Sequence, residues 1–177
     1  MAAMTATADR SAPPARPRPW IGWRLAALFY DLWPAVALWF VLGFVFALGY
    51  TFLGHHDPHE NIAPFSGLQW LLWACCWIVT GLYATASWRR GGQTLGMRPW
   101  RLRAVAADGD AVGARAAWVR YAVGTVSLLA GGLGFWWAWF DRDRLTWHDR
   151  ASGTRIVREP RSGVRGQGKA EGTRASR

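Results

Sequence analysis

Residues 25–54 read LAALFYDLWPAVALWFVLGFVFALGYTFLG, thirty positions carrying a single charge, Asp31. A helix rises ~1.5 Å per residue and the hydrocarbon core of a bilayer is ~30 Å thick, so about 20 apolar residues cross it. Two more runs lack any acidic or basic residue: 67–88, with 22 positions, and 121–140, with 20. Buried helices of soluble proteins seldom stay uncharged for so long three times in one small chain. The expected fold is therefore an all-α integral membrane bundle of three apolar segments.

The rest of the composition fits that frame. The chain of 177 residues is 51% hydrophobic yet carries 21 Lys+Arg against 11 Asp+Glu. Such values conflict in a single globular core, and stop conflicting when apolar and charged residues occupy separate stretches. Of the fourteen tryptophans, Trp20 and Trp23 precede the first run, Trp70 and Trp88 bracket the second, and Trp118, Trp136, Trp137 and Trp139 flank the third. Indole favours the membrane–water interface, where its ring is apolar and its N–H stays wet. The cysteines, Cys75 and Cys76, are adjacent, which excludes a disulfide framework and leaves them as small apolar filler.

Positive charge orients the segments. Four arginines (Arg10, Arg16, Arg18 and Arg24) precede the first run, none falls in 54–66, and six (Arg89, Arg90, Arg98, Arg101, Arg103 and Arg115) fall in 89–117. The amino terminus and linker 89–117 are thus expected in the cytoplasm and 54–66 outside. The tail from 141 onward carries ten basic residues, which also favours the inside. A single crossing by the third run would place it outside. Gly131, Gly132 and Gly134 allow that run to turn back instead, as a re-entrant hairpin packed against protein.

Residues 1–19 are Ala-, Pro- and Arg-rich without apolar periodicity, and 159–177 are Arg-, Gly- and Ser-rich. Both are expected to be disordered, flanking a membrane domain over 20–158. No secretory signal peptide is expected at the amino terminus. In the linker, Arg101 to Val105 alternates, Asp108-Gly109 is a tight-turn pair and Ala111-Val112 follows, so a small cytoplasmic β-hairpin is expected there.

Several of these residues resemble a known family. Arg24 at the head of the first apolar helix, Asp31 seven residues on, and the late Asp149 in His148-Asp149-Arg150-Ala151-Ser152-Gly153-Thr154 look like the three positions that name the RDD family. Gly92-Gln93-Thr94-Leu95-Gly96-Met97-Arg98 resembles that family's Gly-Gln-Thr-Leu-Gly-Lys segment, with Met97 where a lysine is usual. Arg120 resembles the arginine that opens its last membrane region. The resemblance covers about residues 20–158. It implies a multi-pass domain in the bacterial cytoplasmic membrane and a role associated with transport.

Arg24 and Asp31 lie two helical turns apart on one face, ~10.5 Å along the axis. A carboxylate at membrane depth is costly and takes a partner or lines a polar pathway. Pro34 has no N–H, so it leaves the carbonyl of Tyr30 without its helical donor beside Asp31. Arg24, Asp31 and Asp149 are therefore the candidate polar centre, either for an ion or solute or as a packing lock. His55, His56 and His59, with Asp57 and Glu60, are weak metal candidates on one short loop, in a spacing that fits no established site. The glycine-rich 91–98 lacks the Lys-Ser/Thr ending of a phosphate loop and follows a helix, which excludes nucleotide binding by that motif.

No catalytic arrangement is legible, so neither an enzymatic activity nor a cofactor is expected. The expected partners are the bilayer itself, anionic lipids at the basic linker and tail, and a second copy or another membrane protein. Nucleic acid is a lesser candidate for the basic tail. The alternative to transport is a scaffold whose charges only fix helix packing.

Overall fold

The computed structural model describes residues 20–55, 57 and 60–159. In chain order the elements are α1 (Ile21–Gly54), α2 (Gly67–Gly91), β1 (Leu102–Ala106), α3 (Ala114–Leu129), α4 (Leu133–Phe140), α5 (Trp147–Ser152) and β2 (Thr154–Arg158). The tails expected over 1–19 and 159–177 lie outside the described residues, Glu159 excepted.

Helices α1 and α2 are long and apolar enough to cross a membrane. At ~1.5 Å per residue, the 34 residues of α1 reach ~51 Å and the 25 of α2 reach ~37 Å. Large apolar side chains of α1 point away from the protein, with Trp33 68%, Phe40 77% and Leu53 83% exposed. That surface suits hydrocarbon and not water. Local signals set the ends of α2: the Ser66 hydroxyl accepts from Gln69 N–H at 3.3 Å, and Gly92 terminates the helix in the left-handed conformation.

The third apolar run is broken. It supplies the second part of α3 and all of α4, which meet at 99°. Gly131 and Gly132, at φ +70 and +79, make the corner in a region closed to most side chains. With this pair counted as one span, there are up to three candidate spans.

The sheet corrects one expectation. The Asp108-Gly109 turn forms: Gly109 N–H donates to the Ala106 carbonyl at 3.0 Å, and Ala106 N–H to Asp110 at 2.9 Å. Ala111-Val112 does not return as a strand, so there is no hairpin. Instead β1 pairs antiparallel with β2, from Leu102↔Arg158 to Ala106↔Thr154. Only two residues separate Asp110 from Gly113, the N-cap of α3, and Val112 is 3% exposed in the core. So short a segment cannot compete with the five residues of β2.

That pairing gathers the small core at one end of the bundle. Ala27, Met97, Leu102, Ala104, Val112 and Ala117 are buried together, with Trp88, Trp100 and Ile156 against them. The start of α1, the end of α2, the linker, the start of α3 and β2 all meet there. Met97, the residue standing where the family segment has lysine, is an apolar member of this core.

Candidate functional site

Two polar centres flank this core. The first surrounds Asp31, half-buried in the third turn of α1. Asp31 Oδ1 accepts from the Tyr83 hydroxyl at 3.0 Å and from Gly96 N–H at 2.8 Å, and Oδ2 accepts from the Thr94 hydroxyl. Tyr83 is fixed in turn, because its oxygen accepts from Leu95 N–H at 3.0 Å. Segment 92–98 is thus docked on α1 and α2 through the carboxylate. Gly96 is required by the closeness of this docking. A Cβ there would lie 2.2 Å from the Ala27 carbonyl oxygen and 2.7 Å from Asp31 Cγ. Among the described residues Asp31 forms no salt bridge. Every donor it receives is neutral.

The second centre is ionic. Asp149, fully buried, bonds Arg24 through Oδ2 and Arg120 through Oδ1. Both arginines are also buried, at 7% and 5% exposure. Arg24 further donates to the Thr146 hydroxyl at 3.3 Å and Arg120 to the Thr154 hydroxyl at 2.7 Å. The Arg120 guanidinium lies over the Trp88 ring, 5.3 Å from its centroid. Asp149 is placed by a capping box: Thr146 accepts from Asp149 N–H, and Asp149 accepts from Thr146 N–H, at the first turn of α5. A single carboxylate therefore ends a helix and joins α1, α3 and α5.

Burial opposes ionisation of Asp149, but the Arg120 and Arg24 guanidiniums outweigh it and hold the carboxyl well below the usual carboxylate range. The same surroundings keep His148 neutral. Burial foremost, then the Arg120 charge, pushes it from 6.5 to about 3 against the pull of Asp149. Two guanidiniums and one carboxylate leave a buried excess of one positive charge. Asp31 lies two helical turns further along α1.

Of the residues singled out in the sequence, Arg24 and Asp149 come together, while Asp31 stands apart with its own partners. His55 caps the end of α1 in a left-handed conformation, and His56 and His59 lie outside the described residues. Sequence reasoning missed Tyr83, Thr94 and Gly96 as the partners of Asp31; the signal for the last two was the Gly92-Gln93-Thr94-Leu95-Gly96 segment that contains them. It also missed Arg120 as the second partner of Asp149. A lone arginine just before an apolar run was the available signal for that one.

Long apolar helices around buried polar centres define a membrane-type helical protein. The RDD family profile matches residues 18–153, and the chain belongs to the RDD family. No curated protein and no solved structure matches it.

Proposed function

We propose that this chain is a transport-associated protein of the bacterial cytoplasmic membrane, with Asp31 as its ion- or solute-binding carboxylate. The observation that carries this reading is the setting of Asp31. It sits in an apolar helix, receives three hydrogen bonds from neutral donors, and has no salt bridge among the described residues. A carboxylate at membrane depth takes a partner or marks an ion or solute path, and none of the donors on Asp31 carries a charge that would neutralise it. Here the nearby guanidiniums of Arg24 and Arg120 are engaged by Asp149 instead. In this reading the ionic cluster closes the bundle end, and Asp31 is the responsive group.

The amino terminus and the linker face the cytoplasm, following the arginine asymmetry. The third apolar run is re-entrant. Its α3 spans 16 residues, ~24 Å, short of the ~30 Å hydrocarbon core. The pairing of β2 with β1 supports a return of the chain to the face it left. Two full crossings make a poor pathway alone, so the working unit is an oligomer or a complex with another membrane protein. Anionic lipids bind the basic linker and tail, and the protein catalyses no reaction.

Flux measured in reconstituted vesicles, wild type beside Asp31→Asn, tests the reading. Wild-type flux lost in the variant is the expected result. Full flux in Asp31→Asn makes Asp31 a packing residue and favours a scaffold.

A further inference from the structure

Resting on the reading of Asp31 as an ion-binding carboxylate, we propose that the ion it takes is a proton and not an alkali cation. The groups around the carboxylate point hydrogens at one of its oxygens and a reversible hydroxyl at the other. Oδ1 faces two hydrogens, those of the Tyr83 hydroxyl and Gly96 N–H. Neither can be turned away freely. The Gly96 amide is fixed by a backbone packed directly on Ala27 and Asp31, and the Tyr83 oxygen already accepts from Leu95 N–H. A hard cation needs several oxygen lone pairs directed inward to replace its water. This side of the carboxylate presents hydrogens.

Oδ2 is different. Its partner is the Thr94 hydroxyl, a group that donates or accepts by rotating about its C–O bond. When hydronium gives a proton to Oδ2 and leaves as water, the new O–H bond makes the carboxyl neutral, and the Thr94 hydroxyl turns its own hydrogen off Oδ2 and accepts the new one. The bonds to Oδ1 persist. Thr94 is 3% exposed, so it holds its place through the exchange. One rotation of one hydroxyl accommodates the proton, whereas a cation requires rebuilding segment 92–98.

The titratable and charged groups around this carboxyl are Tyr83 on α2, Arg98 on the linker beside Tyr83, Tyr30 next to Asp31, and Arg24 two turns away on α1. Arg24 faces Asp149 and does not contact Asp31. None of the groups bonded to Asp31 carries a positive charge that must leave before the proton arrives. No metal-type cluster of three or more His, Cys, Asp or Glu occurs among the described residues.

Infrared spectroscopy of the full chain in nanodiscs tests this. Acidification should raise a carboxylic C=O band that is absent from Asp31→Asn. Sodium, lithium or potassium chloride, against choline chloride at equal ionic strength, should leave the band unchanged. Thr94→Val should shift it to higher frequency through loss of the acceptor, and Thr94→Ser should restore it. Tyr83→Phe, which removes a donor from Oδ1, should also shift it upward and gives a second probe if Thr94→Val folds poorly. Suppression of the band by an alkali cation overturns the proton assignment while keeping Asp31 as an ion site. A spectrum that responds to neither acid nor alkali cation removes Asp31 as an ion site altogether.

Discussion

Gly96 and Asp31, 65 residues apart, are joined by a 2.8 Å hydrogen bond at a contact too close to admit a side chain. An added Cβ would meet backbone atoms, the Ala27 carbonyl oxygen at 2.2 Å and Asp31 N at 2.7 Å, so neither side can yield by rotating a side chain. Gly96→Ala should destabilise the folded state by roughly 1–3 kcal/mol, the usual cost of overpacking. Gly43→Ala, with nothing within 4 Å, should change it by about 0.5 kcal/mol or less. Denaturant unfolding in micelles, followed by tryptophan fluorescence, measures both. Equal effects at the two positions would show that segment 92–98 does not pack tightly on α1.

The ionic cluster should respond unequally to loss of its members. Asp149→Ala leaves two buried guanidiniums without their shared anion, so it should cost the most, on the order of 3–5 kcal/mol. Arg24→Ala or Arg120→Ala leaves one pair intact and should each cost less. Combining Arg24→Ala with Asp149→Ala should recover only a little, because Arg120 still lies buried without a carboxylate. Folded yield across this set checks the ranking. An Asp149→Ala protein as stable as Arg120→Ala would mean that water, and not protein, surrounds the arginines.

How legible these features were in the sequence depended on distance along the chain. Helix α1 announces itself because thirty contiguous residues carry only one charge. The corner in the third run announces itself through Gly131 and Gly132. The turn at Asp108-Gly109 was legible too, but the partner of β1 was not, since β2 begins about fifty residues later. Local alternation carries no information about so distant a strand. Tyr83 shows the same limit: one tyrosine in an apolar helix looks like interface decoration until α1 brings a carboxylate within 3.0 Å of it.

Stability should fall on mild acidification, and His148 should be the cause. Its folded value is lowered from 6.5 to about 3, so the folded state keeps it neutral where the unfolded chain takes up a proton. The stabilisation is complete above pH 6.5 and is lost as pH falls from 6.5 toward 3. The slope approaches about 1.4 kcal/mol per pH unit, that of one proton. Asp149 is also held below its ordinary value of 3.8, so its own contribution starts to fade only below that value. His148→Leu should flatten the profile between pH 6 and 4 and leave the steeper loss below. An unchanged profile in that variant would assign the dependence to other groups.

The last prediction concerns which face the chain returns to after α4. Glu159 N–H donates to the Arg101 carbonyl at 2.9 Å, directly beyond the β1–β2 pair. Residues 101 and 159 must therefore lie on the same side of the membrane, whatever α3 and α4 do between them. Arg101 belongs to the arginine-rich linker assigned to the cytoplasm, so Glu159 should be cytoplasmic as well. Single cysteines at Ala63, Ala111 and Glu159, all exposed, in a background without Cys75 and Cys76, read this directly with a membrane-impermeant thiol reagent. In intact cells only the Ala63→Cys protein should react; Ala111→Cys and Glu159→Cys should react only after permeabilisation. Arg142→Cys, in the exposed turn after α4, should join the protected group if the run is re-entrant. Labelling of Arg142→Cys from outside while Glu159→Cys stays protected would place α4 at the far surface. Labelling of Glu159→Cys from outside with Ala111→Cys protected would require the β1–β2 pair to be broken in the membrane, and would sink this arrangement of the third segment.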